Sequence, residues 1–163
     1  MTATYEPIGT PKTVSGTSTS TITFSDIPQT YTDLVLVSVV TQSADVASYL
    51  RFNSDTATNY SQTRLAGTGS AANSSRDANS TGIQFSFGTL TALTNVIWQI
   101  QNYSNATTFK SCLSRNNNTY DWLGSTVGLW RKTPEAITTV TFTVTSGYIV
   151  AGSTFTLYGI KAE

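Results

Sequence analysis

The sequence alternates. In AITTVTFTV, Val140, Phe142 and Val144 fall on one side of an extended chain, with Thr139, Thr141, Thr143 and Thr145 on the other. In NVIWQIQNYS, Val96, Trp98 and Ile100 share one side, and Ile97, Gln99 and Gln101 the other. A period of two places successive side chains on opposite faces of a sheet, and β-branched residues suit that pleated surface. Helical period is nearly absent; the segments DVAS and PEAI are the only short helical candidates. About nine or ten short strands follow, spaced roughly 8–15 residues apart with turn signals between them, which argues for an all-β sandwich or barrel.

Along the chain, MTATYEPIGTPKTVSG carries Pro7, Gly9, Pro11 and Gly16 and reads as an extended N-terminal arm over residues 1–16. The β-sandwich domain then runs over 17–163. Its expected strands begin with Thr19 to Phe24 and continue through DLVLVSVV, ASYLRFN and YSQTRLAG. The stretch from Gly67 to Gly82 is filled with small polar residues and reads as the longest loop. IQFSFGTL, NVIWQIQNYS, TTFKSCLSR, GSTVGLWRK and AITTVTFTV resume strand pattern, with NNNTYD as a turn or loop. The last segment, GSTFTLYGIKAE, keeps strand pattern almost to its end, with Phe155, Leu157, Tyr158 and Ile160 as core candidates. A terminal strand of this kind is expected inside the sheet, because chain ends otherwise fray.

Composition narrows the function. Hydrophobic residues make up 39% of the 163, enough for one core, while charged residues make up 11%, far below the roughly 25% of an ordinary domain. Lys and Arg total nine against nine Asp and Glu, and no basic run is present, so a phosphate-tracking surface and nucleic-acid binding are not expected. The start lacks the basic and apolar stretches of a secretory leader, and no apolar run approaches the ~18 residues of a membrane span. Synthesis in a cytoplasm, with no membrane partner, is the expectation. Cys112 is single, which excludes an intramolecular disulfide, and its strand neighbours suggest a buried small hydrophobe.

The chain has no histidine. That removes the commonest general base and every Ser/Cys–His nucleophile arrangement, so no enzyme, catalytic residue or cofactor is expected. The nine carboxylates fall mostly in turns, where Asp caps the backbone. Asp121, between Tyr120 and Trp122, could line a sugar site, or could sit in a loop whose aromatics anchor the sandwich. NSDTATN has the atoms for a calcium loop and equally reads as a plain turn. Six sequons, at Asn59, Asn73, Asn79, Asn102, Asn105 and Asn117, follow from a composition rich in Asn, Ser and Thr. Arg51, Arg64 and Arg131 lie in or beside strands among apolar neighbours, where they would pair within the chain or at a subunit contact.

The strings YTDLVLVS (Tyr31–Ser38), LRFNSDTATNYSQTRLAG (Leu50–Gly67), GLWR (Gly128–Arg131) and AGSTFTLYGIKA (Ala151–Ala162) together resemble small virion structural proteins of tailed bacteriophages. The likeness runs from about Tyr31 to the end, and GSTFTLYGI is its sharpest piece. It implies a single-domain, jelly-roll-like β-sandwich in a virion made in the host cytoplasm, often a homotrimer. The leading expectation is a capsid decoration, or cement, protein that binds the outside of the major capsid lattice and stabilises the head. A tail-fibre or receptor-binding module that recognises host glycans is the alternative. Candidate partner contacts are Tyr5, Pro7 and Ile8 in the arm, and Tyr120, Asp121, Trp122, Trp130 and Arg131 in the domain.

Overall fold

The structure is a computed structural model and describes residues 4–16, 19–85, 90–120 and 122–161. Its strands are β1 (Tyr5–Pro7), β2 (Lys12–Thr13), β3 (Thr21–Phe24), β4 (Asp33–Val40), β5 (Ser48–Phe52), β6 (Tyr60–Gly67), β7 (Ala72–Ser80), β8 (Thr94–Ile100), β9 (Lys110–Asn118), β10 (Leu123–Trp130), β11 (Val140–Val144) and β12 (Thr154–Ile160). Every pairing is antiparallel. The large sheet has nine strands in the order β1-β12-β4-β8-β9-β10-β6-β7, with β2 also on β12; the small sheet is β3-β11-β5. The all-β sandwich expected from alternation is therefore the fold, and no helix occurs among the described residues. The strands divide nine to three, whereas a jelly roll has eight in two Greek keys.

The sheets meet through interdigitated aromatics. Phe142 of β11 lies 5.1 Å from Phe155 of β12, and Phe52 of β5 lies 5.6 Å from Trp130 of β10, measured between ring centroids. Trp130 also stacks on Tyr60 at 6.3 Å, and Phe85 packs edge-on against Trp98 at 5.8 Å. Offset and edge-to-face pairs of this kind contribute about 0.5–1.5 kcal/mol each beyond their area burial. On β8, the alternation puts Val96, Trp98 and Ile100 fully inside. Cys112 is buried on the same face of β9, opposite Ile100 and Gly128, and burial pushes its thiol pKa up.

The last strand is internal, as its pattern implied. β12 lies between β4 on one side and β1 with β2 on the other, and Phe155 and Leu157 are buried while Tyr158 and Ile160 are half-buried on the opposite face. Of the expected arm, the described residues 4–16 are largely extended and lie along this strand of their own chain. Ile8 N–H donates to Leu157 O at 2.8 Å and Val14 N–H to Ser153 O at 2.9 Å, and both side chains are buried.

Two segments depart from the sequence reading. The expected loop from Gly67 to Gly82 contains β7, a nine-residue strand paired along β6. Ala, Asn, Ser and Asp are weak strand formers, and what fixes β7 is its partner. Thr68 Oγ1 accepts from the N–H groups of Ser70 and Ala71 to turn the chain, and Asp77 then accepts from Gln62 and Arg64 on β6. The expected strand at IQFSFGTL is reduced to one bridge, in which Ile83 and Leu50 exchange both backbone hydrogen bonds at 2.8 and 2.9 Å. The remainder of that segment, 86–89, lies outside the described residues. β9 also continues through Asn118, into what was read as a turn.

Ile83 closes the core by lying over Gly128 of β10. A Cβ at Gly128 would stand 2.7 Å from both Cδ1 and Cγ2 of Ile83, which is fully buried. Gly128→Ala is expected to destabilise the fold by about 1–3 kcal/mol through overpacking. A urea midpoint unchanged from the parent would show that Ile83 moves aside freely.

Candidate docking surface

The strand register defines two faces of the large sheet. One carries Leu34, Leu36, Trp98, Ile100 and Phe155 toward the core. The other is turned away from the small sheet, and its rows can be read across the ladder. One row runs Thr156, Val37, Ile97, Arg115, Ser125, Leu65, Ser74; the next runs Tyr158, Val35, Gln99, Leu113, Val127, Thr63, Arg76. A third sets Leu123 beside Asn117 and Gly67.

The exposed large hydrophobics gather on this outer face. Leu65 is 58% exposed, Leu123 63% and Val127 59%, and they are joined there by Ile97 and, at the β1 margin, by Tyr5. Leu93 and Phe109, also exposed, immediately precede β8 and β9 in the same alternation. Only Arg115 is charged on the outer face of the three central strands β8, β9 and β10. Leu65 and Leu123 line a predominantly apolar cleft of about 660 Å³ with Gly67, Ala72, Arg115 and Ser125. Gly67 contributes no side chain in the row of Leu123, which opens the cleft between Leu123 and Ala72. Apolar surface grouped this way marks an interaction site more often than scattered single residues do. Seven strands at ~4.8 Å spacing, with about seven residues each at ~3.3 Å, give a face of roughly 29 by 23 Å, or about 670 Å². A standard protein interface uses roughly 800 Å² per partner.

The sequence-predicted contacts do not form one site. Tyr5 and Pro7 are exposed on β1, but Ile8 plugs the core, so as a partner contact it is corrected to a packing residue. Beside them Lys161 Nζ meets Glu6 Oε1 at 2.7 Å, and that hydrogen bond holds the Glu6 carboxyl below the usual range against a smaller opposing effect of burial. Tyr120 is exposed and Trp122 half-buried, in a turn where Asn118 Oδ1 accepts from both backbone N–H groups. Asp121 lies outside the described residues. Trp130 stands at the other end of β10, roughly 23 Å from Leu123 by strand rise, and is 2% exposed. It too is corrected, from a partner contact to a core residue. Arg131 is half-buried and donates from one terminal nitrogen to Ala78 O and to Asn79 Oδ1. The candidate contacts Tyr120 and Trp122 are therefore not brought together with Trp130.

Leu65, Ile97, Leu123 and Val127 escaped the sequence reading as contacts. Their signal was present: Ile97 falls on the Gln99 side of its strand, opposite the core set. An apolar residue on the polar side of an alternating strand is the pattern to look for.

NSDTATN is a structural turn. Asp55 Oδ2 accepts from Trp130 Nε1 at 2.7 Å and from Asn59 Nδ2 at 2.9 Å, and Oδ1 accepts from Ala57 N–H at 2.9 Å. Both oxygens are thus engaged by donors, and no group of three His, Cys, Asp or Glu able to hold a metal occurs among the described residues. Burial raises the Asp55 pKa, but the three hydrogen bonds outweigh it and leave the carboxyl below its ordinary value.

Comparison with known proteins found no matching family model, no matching curated protein and no matching solved structure.

The Asp55 shift has a pH consequence. A carboxyl held low in the fold contributes stability that is present above its unfolded value of about 3.9 and lost as pH falls through the lower folded value. Asp55→Ala is expected to cost about 1–3 kcal/mol at neutral pH, since it strands the buried Trp130 N–H. Asp55→Asn should remove part of the loss in denaturant stability between about pH 5 and about pH 2. An acid limb identical to the parent's would assign that loss to other carboxyls.

Proposed function

We propose that this chain is a structural protein of a tailed-bacteriophage virion, a capsid decoration protein that lays the outer face of its large sheet on the major capsid lattice. The observation that carries the reading is the concentration of exposed apolar side chains on that one face, with Arg115 as the sole charge on its central strands. Apolar, nearly uncharged surface can be buried against a partner without stranding ions, which is the costly term in most interfaces. The resemblance of Leu50–Gly67 and Ala151–Ala162 to virion proteins supplies the partner class. They contain β6 and β12 of this sheet, the first also holding the end of β5 in the small sheet.

The mechanism is mass action. A protein that binds only the assembled lattice shifts the equilibrium toward the assembled state by RT ln(1 + [L]/Kd), roughly 2.7 kcal/mol at a hundredfold excess over Kd. A zero formal net charge gives little long-range steering, so recognition rests on shape and short-range contact. Decoration proteins form closed symmetric assemblies, and a trimer is the expected state here.

Quantitative mass spectrometry of purified particles tests the assignment directly. Decoration requires a copy number in proportion to the major capsid protein; a few copies per particle would move the protein to the tail, and absence would overturn the virion reading. The face itself is tested by the triple substitution Leu65→Ser, Leu123→Ser and Val127→Ser. All three side chains are more than half exposed, so folding stability should change by no more than about 0.5 kcal/mol per site. Binding to heads stripped of the protein should fall at least about tenfold. A folded triple variant that binds stripped heads as the parent does would show that another surface docks.

A further inference from the structure

The register also fixes where the charges of the outer face lie. On β8, β9, β10, β6 and β7 the outward positions carry two arginines, Arg115 and Arg76, and no carboxylate. Asp77, Arg64 and Lys110 belong to the inward set. Both outward arginines are exposed, and neither makes a side-chain hydrogen bond or ion pair among the described residues. Arg115 stands between Ile97 and Ser125 across the ladder, and between Leu113 and Asn117 along the outer side of β9. Arg76 stands beside Thr63, on the edge strand. Asp33, outward at the start of β4, is two strands away from Arg115, and its Oδ1 already accepts from Asn102 N–H at 2.6 Å.

Three strand spacings and a two-residue step along the strands separate the two arginines, about 16 Å between Cα positions. Val127 and Leu65, 59% and 58% exposed, occupy outward positions between them. The face therefore reads as cation, apolar pair, cation, and the cleft beside Leu65 and Leu123 is lined by Arg115 as well. In water each guanidinium is satisfied by solvent. Docking removes that solvent, and a guanidinium covered without an anion is among the costliest groups an interface can contain. A second copy that met these five strands with its own would not supply the anion, because they present no outward carboxylate.

We propose that this face takes an acidic protein surface, one that sets a carboxylate against Arg115 and a second, about 16 Å away, against Arg76, with apolar side chains between them. The inference rests on the docking role proposed above and adds the chemistry of the partner. Arginine's planar fork matches a carboxylate in two parallel hydrogen bonds. Arg115, on a central strand and flanked by Ile97 and Leu113, is covered on contact and acts as the anchor; arginine is among the residues enriched at such centres. Arg76, on the edge strand, keeps its access to water and guides the approach. Nucleic acid and anionic lipid are met by clusters of cations. Here two cations are held apart by exposed apolar side chains, which suits a folded protein surface.

Binding of the full chain to heads stripped of the protein, followed at about 50 and about 500 mM salt, tests the proposal. The variants change exposed side chains, so their urea midpoints should match the parent's. Arg115→Ala is expected to weaken binding at least about tenfold, chiefly through faster dissociation, and Arg115→Glu at least about a hundredfold. Arg76→Ala is expected to slow association about threefold, an effect lost at the higher salt. Lys12→Ala removes an ammonium that lies 5.3 Å from the Phe24 ring centre, on the side of the small sheet, and should change nothing. In Arg115→Lys, a carbodiimide should join the introduced amine to an aspartate or glutamate of the head, and mass spectrometry locates the link. The proposal is overturned if Arg115→Glu binds as the parent does, if Lys12→Ala weakens binding as much as Arg115→Ala, if the carbodiimide link forms only within the chain, or if vesicles of phosphatidylglycerol and phosphatidylcholine capture the chain as tightly as heads do. Failure of the parent to bind stripped heads overturns the docking role and this inference with it, whereas parent binding that Arg115→Glu leaves intact overturns this inference alone.

Discussion

A sheet of three strands at ~4.8 Å spacing spans roughly 10 Å, while the eight-strand path of the large sheet spans about 34 Å. The small sheet cannot cover the large one, and the rest of the molecule is arranged around that mismatch. Where β11 and β5 do cover it, the inner face is apolar, with Leu34, Leu36, Val96, Trp98, Phe155 and Leu157. Loops extend the cover: Ile27 and Ile137 are tied by backbone hydrogen bonds to Thr138 and Tyr103, and Ile8, Val14 and Ile83 insert from the flanks. Toward β9, β10, β6 and β7 the same face turns polar, and Ser114, Asn116, Thr126, Gln62, Arg64 and Asp77 follow one another across the ladder.

Holding two unequal sheets together at their far corner takes a specific tie. Asp55 provides it by joining the turn after β5 of the small sheet to the indole of Trp130 at the end of β10 in the large one. Tyr60 reinforces the joint, since its hydroxyl accepts from Phe52 N–H at 3.0 Å and donates to Asp55 O at 3.2 Å. Phe52, Tyr60 and Trp130 are all nearly or fully buried around this pair. A charged group close to the core is tolerable because every bond it makes is to a donor fixed by the fold. Three donors share its two oxygens, which commits the carboxylate to holding this joint.

Alternation made most of this fold legible. β3, β6, β8, β10, β11 and β12 appear where the period of two places them, because each has one face in the core and the pattern records that face; β4 is marked instead by its continuous apolar run, DLVLVSVV. β7 was invisible for the opposite reason. ANSSRDANS buries nothing fully, so no period is imposed on it, and its strand form depends on β6, which local sequence does not name. IQFSFGTL erred the other way: Ile83 and Phe85 do alternate into the core, yet the described backbone there pairs only at Ile83. Trp130 and Ile8 were misjudged as contacts because an aromatic beside an arginine, or an isoleucine between Pro7 and Gly9, looks the same in sequence whether it points inward or outward. The register alone separates the two cases.

The two ends of the large sheet are treated differently, and this bears on how copies or partners can meet. One edge is blunted by β1 and β2, of three and two residues, with Pro7, Pro11 and Lys12 in or beside them, which are devices that discourage edge pairing. The other edge is β7, nine residues long and without proline. An antiparallel continuation of the sheet through a two-fold axis would keep both outer faces on one side, so outward residues would oppose only outward residues and inward only inward. Arg76 of one copy could then never face Asp77 of the other, since they belong to opposite faces, and a register centred on either residue would set like charges together. Charge therefore gives edge pairing at β7 no help. The broad outer face has no comparable obstacle: it is flat in register, nearly uncharged and apolar at Leu65, Leu123 and Val127, which makes it the surface best suited to bear on another protein.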